Sequence, residues 1–204
     1  MKSHTVMNPA IAEFPIRTPE LSGYAGEFHA ILEDADKLCS GLDAGQLLWS
    51  PEPGRWSITQ CLDHLNVVAQ RLHPVLNARI SEGQERGMTA PGPFRHSMLG
   101  NFFIRMVEPP YKMKVPVPID LVEKEEPKDP QEVLAAFHRL KDEMFAMLVR
   151  ADGLDLKAIT INSPFRRPLR LSLGQWFGFI AAHDRRHLWQ AWNVRRDSRF
   201  PGRS

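Results

Sequence analysis

Residues 172–192 read SLGQWFGFIAAHDRRHLWQAW, and this stretch predicts the last helix of an all-α protein. Ser172 and Gln175 have the spacing of a capping box, in which each side chain bonds the other residue's free backbone amide. Apolar side chains then recur at three- and four-residue steps, which places them on one face of a helix. The pattern predicts a helix from Ser172 to about Arg196.

His183 and His187 lie four residues apart in this stretch, so both fall near the middle of the apolar stripe, one turn apart. Two imidazoles in an apolar interior are costly unless each polar nitrogen has a partner. A shared divalent metal ion is one solution, because neutral imidazole is a common ligand. The other solution is that both histidines belong to the core and bond carbonyl or carboxylate groups. The spacing of the pair alone does not decide between these two interpretations.

Three further helices are predicted from caps and apolar periodicity. The first begins at Thr18-Pro19-Glu20, where Thr is a favourable N-cap and Pro suits the first helical position. The second begins at the capping box Ser57-Ile58-Thr59-Gln60, and Pro74 inside it predicts a kink or break about one turn earlier. The third begins at Asp129-Pro130-Gln131-Glu132. Four amphipathic helices predict a four-helix bundle.

The connection between the second and third helices, residues 83–128, is rich in proline and glycine. It is much longer than the roughly two to eight residues usual between bundle neighbours, so it can cross the length of the bundle. Its apolar segment Met98–Val107 could form an extra helix, and the connection could cover a site. With residues 1–17 as a flexible tail, the chain 1–204 is predicted to be one domain.

Bulk composition excludes several classes of function. Apolar residues make up 43% of the chain, and no apolar run approaches the ~20 residues that span a bilayer, so no membrane partner is expected. The net charge of +2 is too small to indicate a nucleic-acid partner. The start of the chain does not resemble a signal peptide, and the two cysteines, Cys39 and Cys61, imply no disulfide framework. A cytoplasmic location is therefore expected.

His64 strengthens the metal interpretation because it lies two turns into the second predicted helix, on the edge of the apolar stripe. Three imidazoles leave the other coordination positions of a Zn²⁺-like ion open to water or substrate, as in catalytic sites. Cys61 could be a fourth ligand, but a buried thiol acting as a small hydrophobe is favoured. The predicted metal ligands are thus His64, His183 and His187, with no catalytic residue and no organic cofactor assigned.

Other polar residues near the helices are interpreted as lying outside the metal site. His29 flanks the stripe of the first helix and could approach the site, whereas four histidines are expected to be solvated: His4, His73, His96 and His138. On the last helix Asp184 projects to the side of the stripe. Gln190 lies one turn beyond His187, which makes it the better candidate for a hydrogen bond near the site, although a spectator role is open for both residues.

Three segments resemble the DinB-like superfamily. Residues 53–68, PGRWSITQCLDHLNVV, are similar to its second-helix signature, and residues 172–192 are similar to its fourth-helix signature. Residues 41–58, GLDAGQLLWSPEPGRWSI, are similar to the loop before its second helix. The resemblance covers roughly residues 18–197 but not the stretch 83–128. It implies a four-helix bundle with a long connection between helices 2 and 3, and a metal, often zinc or nickel, on the three histidines.

The resemblance also implies a function on small molecules. Characterised members of the superfamily include S-transferases and isomerases that use the thiols bacillithiol or mycothiol, and homodimers are common among them. A metal on three neutral histidines can lower the pKa of a water or deprotonate a thiol, so hydrolysis and thiol S-transfer are both open. S-transfer is slightly favoured only because the family contains it. The alternative is a non-catalytic bundle that binds a metal or a small ligand.

The outer face of the last helix predicts a homodimer. Trp189 and Trp192 point away from the paired histidines, so the bundle core cannot easily bury both. With Arg185 and Arg196 they form an amphipathic patch of the type enriched at interfaces. Folding of the long connection or of residues 199–204 over these rings is the alternative.

Overall fold

The structure, a computed structural model, describes residues 16–110, 128–165 and 168–202. Within these ranges the chain forms six helices and two short strands. Their bounds are α1 Pro19–Cys39, α2 Ala44–Leu48, α3 Ile58–Glu85, α4 Met98–Val107, α5 Pro130–Arg150, β1 Thr160–Asn162, β2 Arg170–Ser172 and α6 Leu173–Arg195. The protein is therefore mostly helical, with one small antiparallel sheet.

Capping boxes start two of the long helices where the sequence predicts them. At the start of α3 the Ser57 side chain accepts from the backbone N–H of Gln60, and the Gln60 side chain accepts from that of Ser57. Ser172 and Gln175 make the same pair of bonds at the start of α6. The two helices that carry the candidate ligands thus have their first residue set by local hydrogen bonds.

The start of α1 is predicted correctly, but the role of Thr18 is different. Thr18 occupies the N-cap position without a capping bond from its side chain. Its hydroxyl instead donates to Asp152 at 2.7 Å and accepts from the backbone N–H of Gly153, which ties α1 to the chain after α5. In α3 the helix continues through Pro74, so the chain does not break there, and the kink stays a prediction.

Contacts between the long helices show how they pack. Helix α1 contacts α5 and α6, and α3 contacts the same two helices. Along α3 and α5 the contacts advance in one direction: Asn66 donates to the Val133 carbonyl, and farther on Arg150 donates to Ser81. Helices α3 and α5 are therefore parallel.

One continuous apolar core lies between the long helices. All four contribute large, fully buried apolar side chains, among them Phe28, Leu62, Leu72, Phe137 and Trp176. Burial of such side chains contributes roughly 1.5–3 kcal/mol each, so this core is the main source of stability.

One short helix and one pair of strands were not expected from the sequence. Helix α2 begins at a capping box formed by Asp43 and Gln46. The strands β1 and β2 pair Ile161 with Leu171, and the indole N–H of Trp176 donates to the Ile161 carbonyl. The hairpin thereby holds the first turn of α6, which leads into the candidate ligands.

The long connection is described only in part. Its extra helix, predicted at Met98–Val107, is confirmed as α4. Residues 111–127 of the connection and residues 1–15 of the predicted tail lie outside the described residues. No helix within the described ranges is long and apolar enough to cross a membrane.

Candidate metal centre

The three predicted ligands come together between two helices. His64 is on α3, and His183 and His187 are on α6, which packs against α3. One ring nitrogen from each residue lies within 4.8 Å of the other two. His64 and His187 are buried, and His183 is intermediate in burial, which makes it the least buried member of the cluster.

Distances within the cluster fit a shared metal ion. The Nε2 atoms of His64 and His183 are 3.4 Å apart. An N–H hydrogen bond is usually about 2.9–3.0 Å long. Two nitrogens that bind one tetrahedral Zn²⁺ at about 2.0–2.1 Å would lie about 3.3–3.4 Å apart. The ring centroid of His187 is 4.6 Å from each of the other two centroids.

The electrostatics of the cluster favour the neutral form of His183 and His187. Burial, together with the neighbouring His187 and His64, lowers the pKa of His183 well below its usual value. Burial, then His64 and Arg186, lowers the pKa of His187 in the same way, while a hydrogen bond with the Gln190 side chain opposes this shift. Neutral imidazole is the form that binds a metal. Gln190 therefore lies beside the site, as the sequence predicts.

One ring nitrogen of the cluster lacks a partner. The Nδ1 atom of His187 is buried and forms no hydrogen bond with a well-defined geometry to the described residues. A buried polar atom without a partner is usually costly, and such exceptions mark functional sites or ions. The protein alone therefore leaves the polar groups of this cluster incompletely satisfied, and the donor set fits a divalent cation.

Aromatic rings cover two sides of the cluster. Trp56 stacks on His187 with ring centroids 5.5 Å apart, and its centroid is 5.0 Å from that of His64. Phe179 stacks on His183 at 5.6 Å. Trp56 immediately precedes the capping box of α3, and Phe179 lies one turn before His183. The elements that place the imidazoles thus also place the rings that orient them.

A buried ion pair beside the cluster was not predicted. The Lys141 ammonium bonds the Asp184 carboxylate, and the two side chains are only 1% and 3% exposed. Burial raises the pKa of Asp184, and Lys141 opposes that shift. The sequence contains one sign of this ion pair, because Lys141 lies one turn from Phe137 on the apolar stripe of α5. A lysine buried at such a position needs an acidic partner nearby. Asp184 is therefore not a solvated side chain.

Of the histidines that were expected to be solvated, His73 is buried and His96 is only partly exposed. The His73 side chain is 3% exposed, and its Nδ1 lies 3.0 Å from a carboxylate oxygen of Glu143. The His96 ring lies 2.8 Å from both the Glu20 carboxylate and the Ser172 hydroxyl. Those predictions were wrong because the partners come from α5, α1 and the start of α6, which only packing brings near.

The other candidates do not join the cluster. His29 is exposed and lies 3.5 Å from Glu33 on its own helix, and His138 bonds Asp36. His4 lies outside the described residues. Cys61 is completely buried, and burial raises the pKa of its thiol, which disfavours the thiolate that a metal would need. Its interpretation as a small hydrophobe agrees with this environment.

Part of the predicted dimer patch is bonded within the chain. The Trp192 indole N–H donates to Asp34 of α1. Arg185 forms ion pairs with Glu27 and Glu108. These contacts give Trp192 and Arg185 partners inside one protomer, and the homodimer stays a prediction.

Comparison with known proteins assigns the family. The family model described as the DinB superfamily matches residues 27–191, which include α3, most of α6 and all three histidines. No curated protein and no solved structure is significantly similar to the chain. Because the family match spans well over half of the 204 residues, the chain belongs to the DinB superfamily.

Proposed function

We propose that the protein binds one divalent metal ion on His64, His183 and His187 and acts with it on a small molecule. The observation that carries this proposal is the group of three ring nitrogens within 4.8 Å of one another, formed by residues from two helices. The DinB superfamily is metal-binding in general. Zinc and nickel are the proposed ions, because imidazole nitrogen suits both.

His183 is less buried than the other two histidines, which favours a catalytic over a purely structural role, because a small molecule would reach the cluster from its side. When bound, a divalent ion supplies a Lewis acid that lowers the pKa of a thiol or a water. The chain holds the three imidazoles in place, and the rings of Trp56 and Phe179 cover two sides of the cluster. Hydrolysis and S-transfer with a low-molecular-weight thiol both fit this arrangement. We favour S-transfer because the family contains S-transferases.

The fold proposed around this site is a four-helix bundle of α1, α3, α5 and α6 within a single domain, 1–204. Because α3 and α5 are parallel, the chain that leaves α3 has to return along the helices before α5 begins, which supports a long crossover connection. A homodimer through the outer face of α6 remains part of the proposal.

Metal content tests the assignment. Protein purified without an affinity tag or chelator is expected to carry up to one Zn²⁺ or Ni²⁺ per chain by elemental analysis. His183→Ala or His187→Ala should lose most of the metal, whereas His29→Ala, at an exposed histidine of α1, should retain it. Full occupancy in the triple variant His64→Ala, His183→Ala, His187→Ala would contradict the proposal.

Turnover then separates the enzyme from a non-catalytic binding protein. The metal-loaded protein is assayed with bacillithiol or mycothiol and a panel of small electrophiles, and with ester and amide substrates for hydrolysis. Turnover that is lost in His183→Ala and retained in His29→Ala supports the enzyme. Binding of the thiols without turnover of any substrate favours the binding protein.

A further inference from the structure

We propose that the small molecule carries a large apolar group, an alkyl chain or an aromatic ring system, which binds along one side of α4 next to the histidine cluster. This inference rests on the metal site proposed above and specifies the class of its substrate.

Helix α4 exposes large apolar side chains. Met98, Leu99 and Phe102 are 88%, 79% and 60% exposed. The helix packs on α6 through its other face, where Gly100 and Val107 are buried. A helix that is apolar on most sides is normally covered, because apolar surface in water is unfavourable. The exposed side of α4 therefore indicates a binding surface.

These apolar side chains form a continuous arc around α4. Each residue is turned by about 100° around the helix axis from the one before it. Ordered by angle around that axis, neighbouring members of the arc are separated by roughly 20–40°. In that order they are Phe103, Leu99, Met106, Phe102 and Met98. Phe103 packs against the core, whereas Met98 is the most exposed of the five, so the arc runs from the interior to the solvent.

The inner end of the arc adjoins the histidine cluster. The Phe103 ring stacks on Phe179 with centroids 5.7 Å apart, and Phe179 stacks on His183 at 5.6 Å. His183 is the least buried member of the cluster. A molecule whose polar group lies at the cluster thus has its apolar group beside α4. This continuity favours a small amphiphilic molecule over a second copy of the chain as the occupant.

Hydroxamates of different chain length test the inference, because the hydroxamate group binds divalent ions while the apolar group is varied. Acetohydroxamate and octanohydroxamate are titrated calorimetrically into the metal-loaded full-length protein. Octanohydroxamate is expected to bind at least about tenfold more tightly, since burial of only two methylene groups gives a gain of that size.

Variants on α4 test whether the higher affinity for octanohydroxamate comes from the apolar arc. Leu99→Ser combined with Phe102→Ser should remove most of the preference for octanohydroxamate and leave the affinity for acetohydroxamate and the metal content unchanged. Both positions are exposed, so the substitutions open no cavity in the core. Arg105→Ser, at an exposed polar position just beyond the Met98 end of the arc, is the matched control and should bind both hydroxamates like the wild type.

The outcomes separate this inference from the metal site. If both hydroxamates bind the wild type with equal affinity, or if the double variant keeps the preference, the inference is overturned while the open metal site stands. If neither binds, both are overturned. A dimer in sedimentation that the double variant dissociates, without any chain-length preference, would assign the arc to a second copy of the chain and overturn the inference.

Discussion

Lys141 places a charge in the apolar core and forms a buried ion pair with Asp184. Its ammonium lies 4.9 Å from the centre of the Phe137 ring and bonds Asp184, and hardly any of its side chain reaches solvent. Taking two charges out of water is costly, and the pair is stable only while each charge has its partner. Because Asp184 follows His183 directly, the same pair also holds the turn of α6 that carries the metal cluster.

Removal of one member of this pair should therefore be more harmful than removal of both. Asp184→Ala leaves the Lys141 charge buried without its partner and is expected to lower the free energy of unfolding by about 3–5 kcal/mol. Lys141→Met combined with Asp184→Leu should recover most of this loss. Urea denaturation of the metal-free variants measures both effects. A double variant as unstable as Asp184→Ala would show that the site needs the charges and not merely their balance.

A second prediction at the residue scale concerns His73 and pH. Burial lowers the pKa of His73 in the folded protein, so the folded state binds fewer protons than the unfolded state. The contribution of His73 to the free energy of unfolding is fully present above the pKa of histidine in the unfolded chain, about 6.5. It is lost progressively as the pH falls from that value to the lower pKa of the folded protein. The free energy of unfolding of metal-free protein should therefore decrease from pH 7.5 to 5.5.

His73→Gln should weaken that dependence. His183 and His187 contribute with the same sign, because burial lowers their pKa values too, so part of the decrease should persist. His29→Gln, at an exposed position, is the control and should follow the wild type. An identical pH dependence in His73→Gln and the wild type would count against this origin.

At the scale of elements, the capping boxes decide where the ligand-bearing helices begin. Ser57 starts α3, and His64 follows two turns later. A residue on a helix has its direction set by its distance from the start of that helix and by the packing of the apolar stripe. The start of α3 and the packing of its apolar stripe together therefore place His64 on the side of the helix that faces α6.

Ser57→Ala should lower the free energy of unfolding by about 0.5–2 kcal/mol, because the backbone N–H of Gln60 loses its acceptor. Ser57→Asp supplies a new acceptor and should retain most of the stability. Thermal unfolding monitored by circular dichroism compares the two variants. Equal losses in Ser57→Ala and Ser57→Asp would mean that the site requires the size of serine and not its capping bond.

At the scale of the whole molecule, the core and the metal contribute to stability separately. The apolar core spans all four long helices without the histidine cluster. Metal removal should therefore leave the helices folded. A metal that binds only the native state adds a free energy that grows with its concentration, about 2.7 kcal/mol at a hundredfold excess over Kd.

Chelator is accordingly expected to lower the Tm without abolishing the helical circular dichroism signal. Readdition of Zn²⁺ should restore the Tm in the wild type and fail to do so in His183→Ala, because that variant lacks a ligand. A random-coil spectrum after chelation would instead show that the metal organises the fold.

Local patterns in the sequence determined the starts of α3 and α6, the extra helix α4 and the three histidines of the candidate site. Capping and helical periodicity act within a few residues, so they can be read from a single chain. Even the choice of His64 followed from its place on a predicted stripe, combined with the family motif.

Only the tertiary structure decided which distant residues meet. It paired Lys141 with Asp184, buried His73 against Glu143, and formed the hairpin that precedes α6. It also placed Phe103 of the long connection against Phe179, next to the least buried histidine of the cluster. Such contacts depend on how whole helices pack, and the free energy that selects one packing is shared among many side chains, so no short segment contains it.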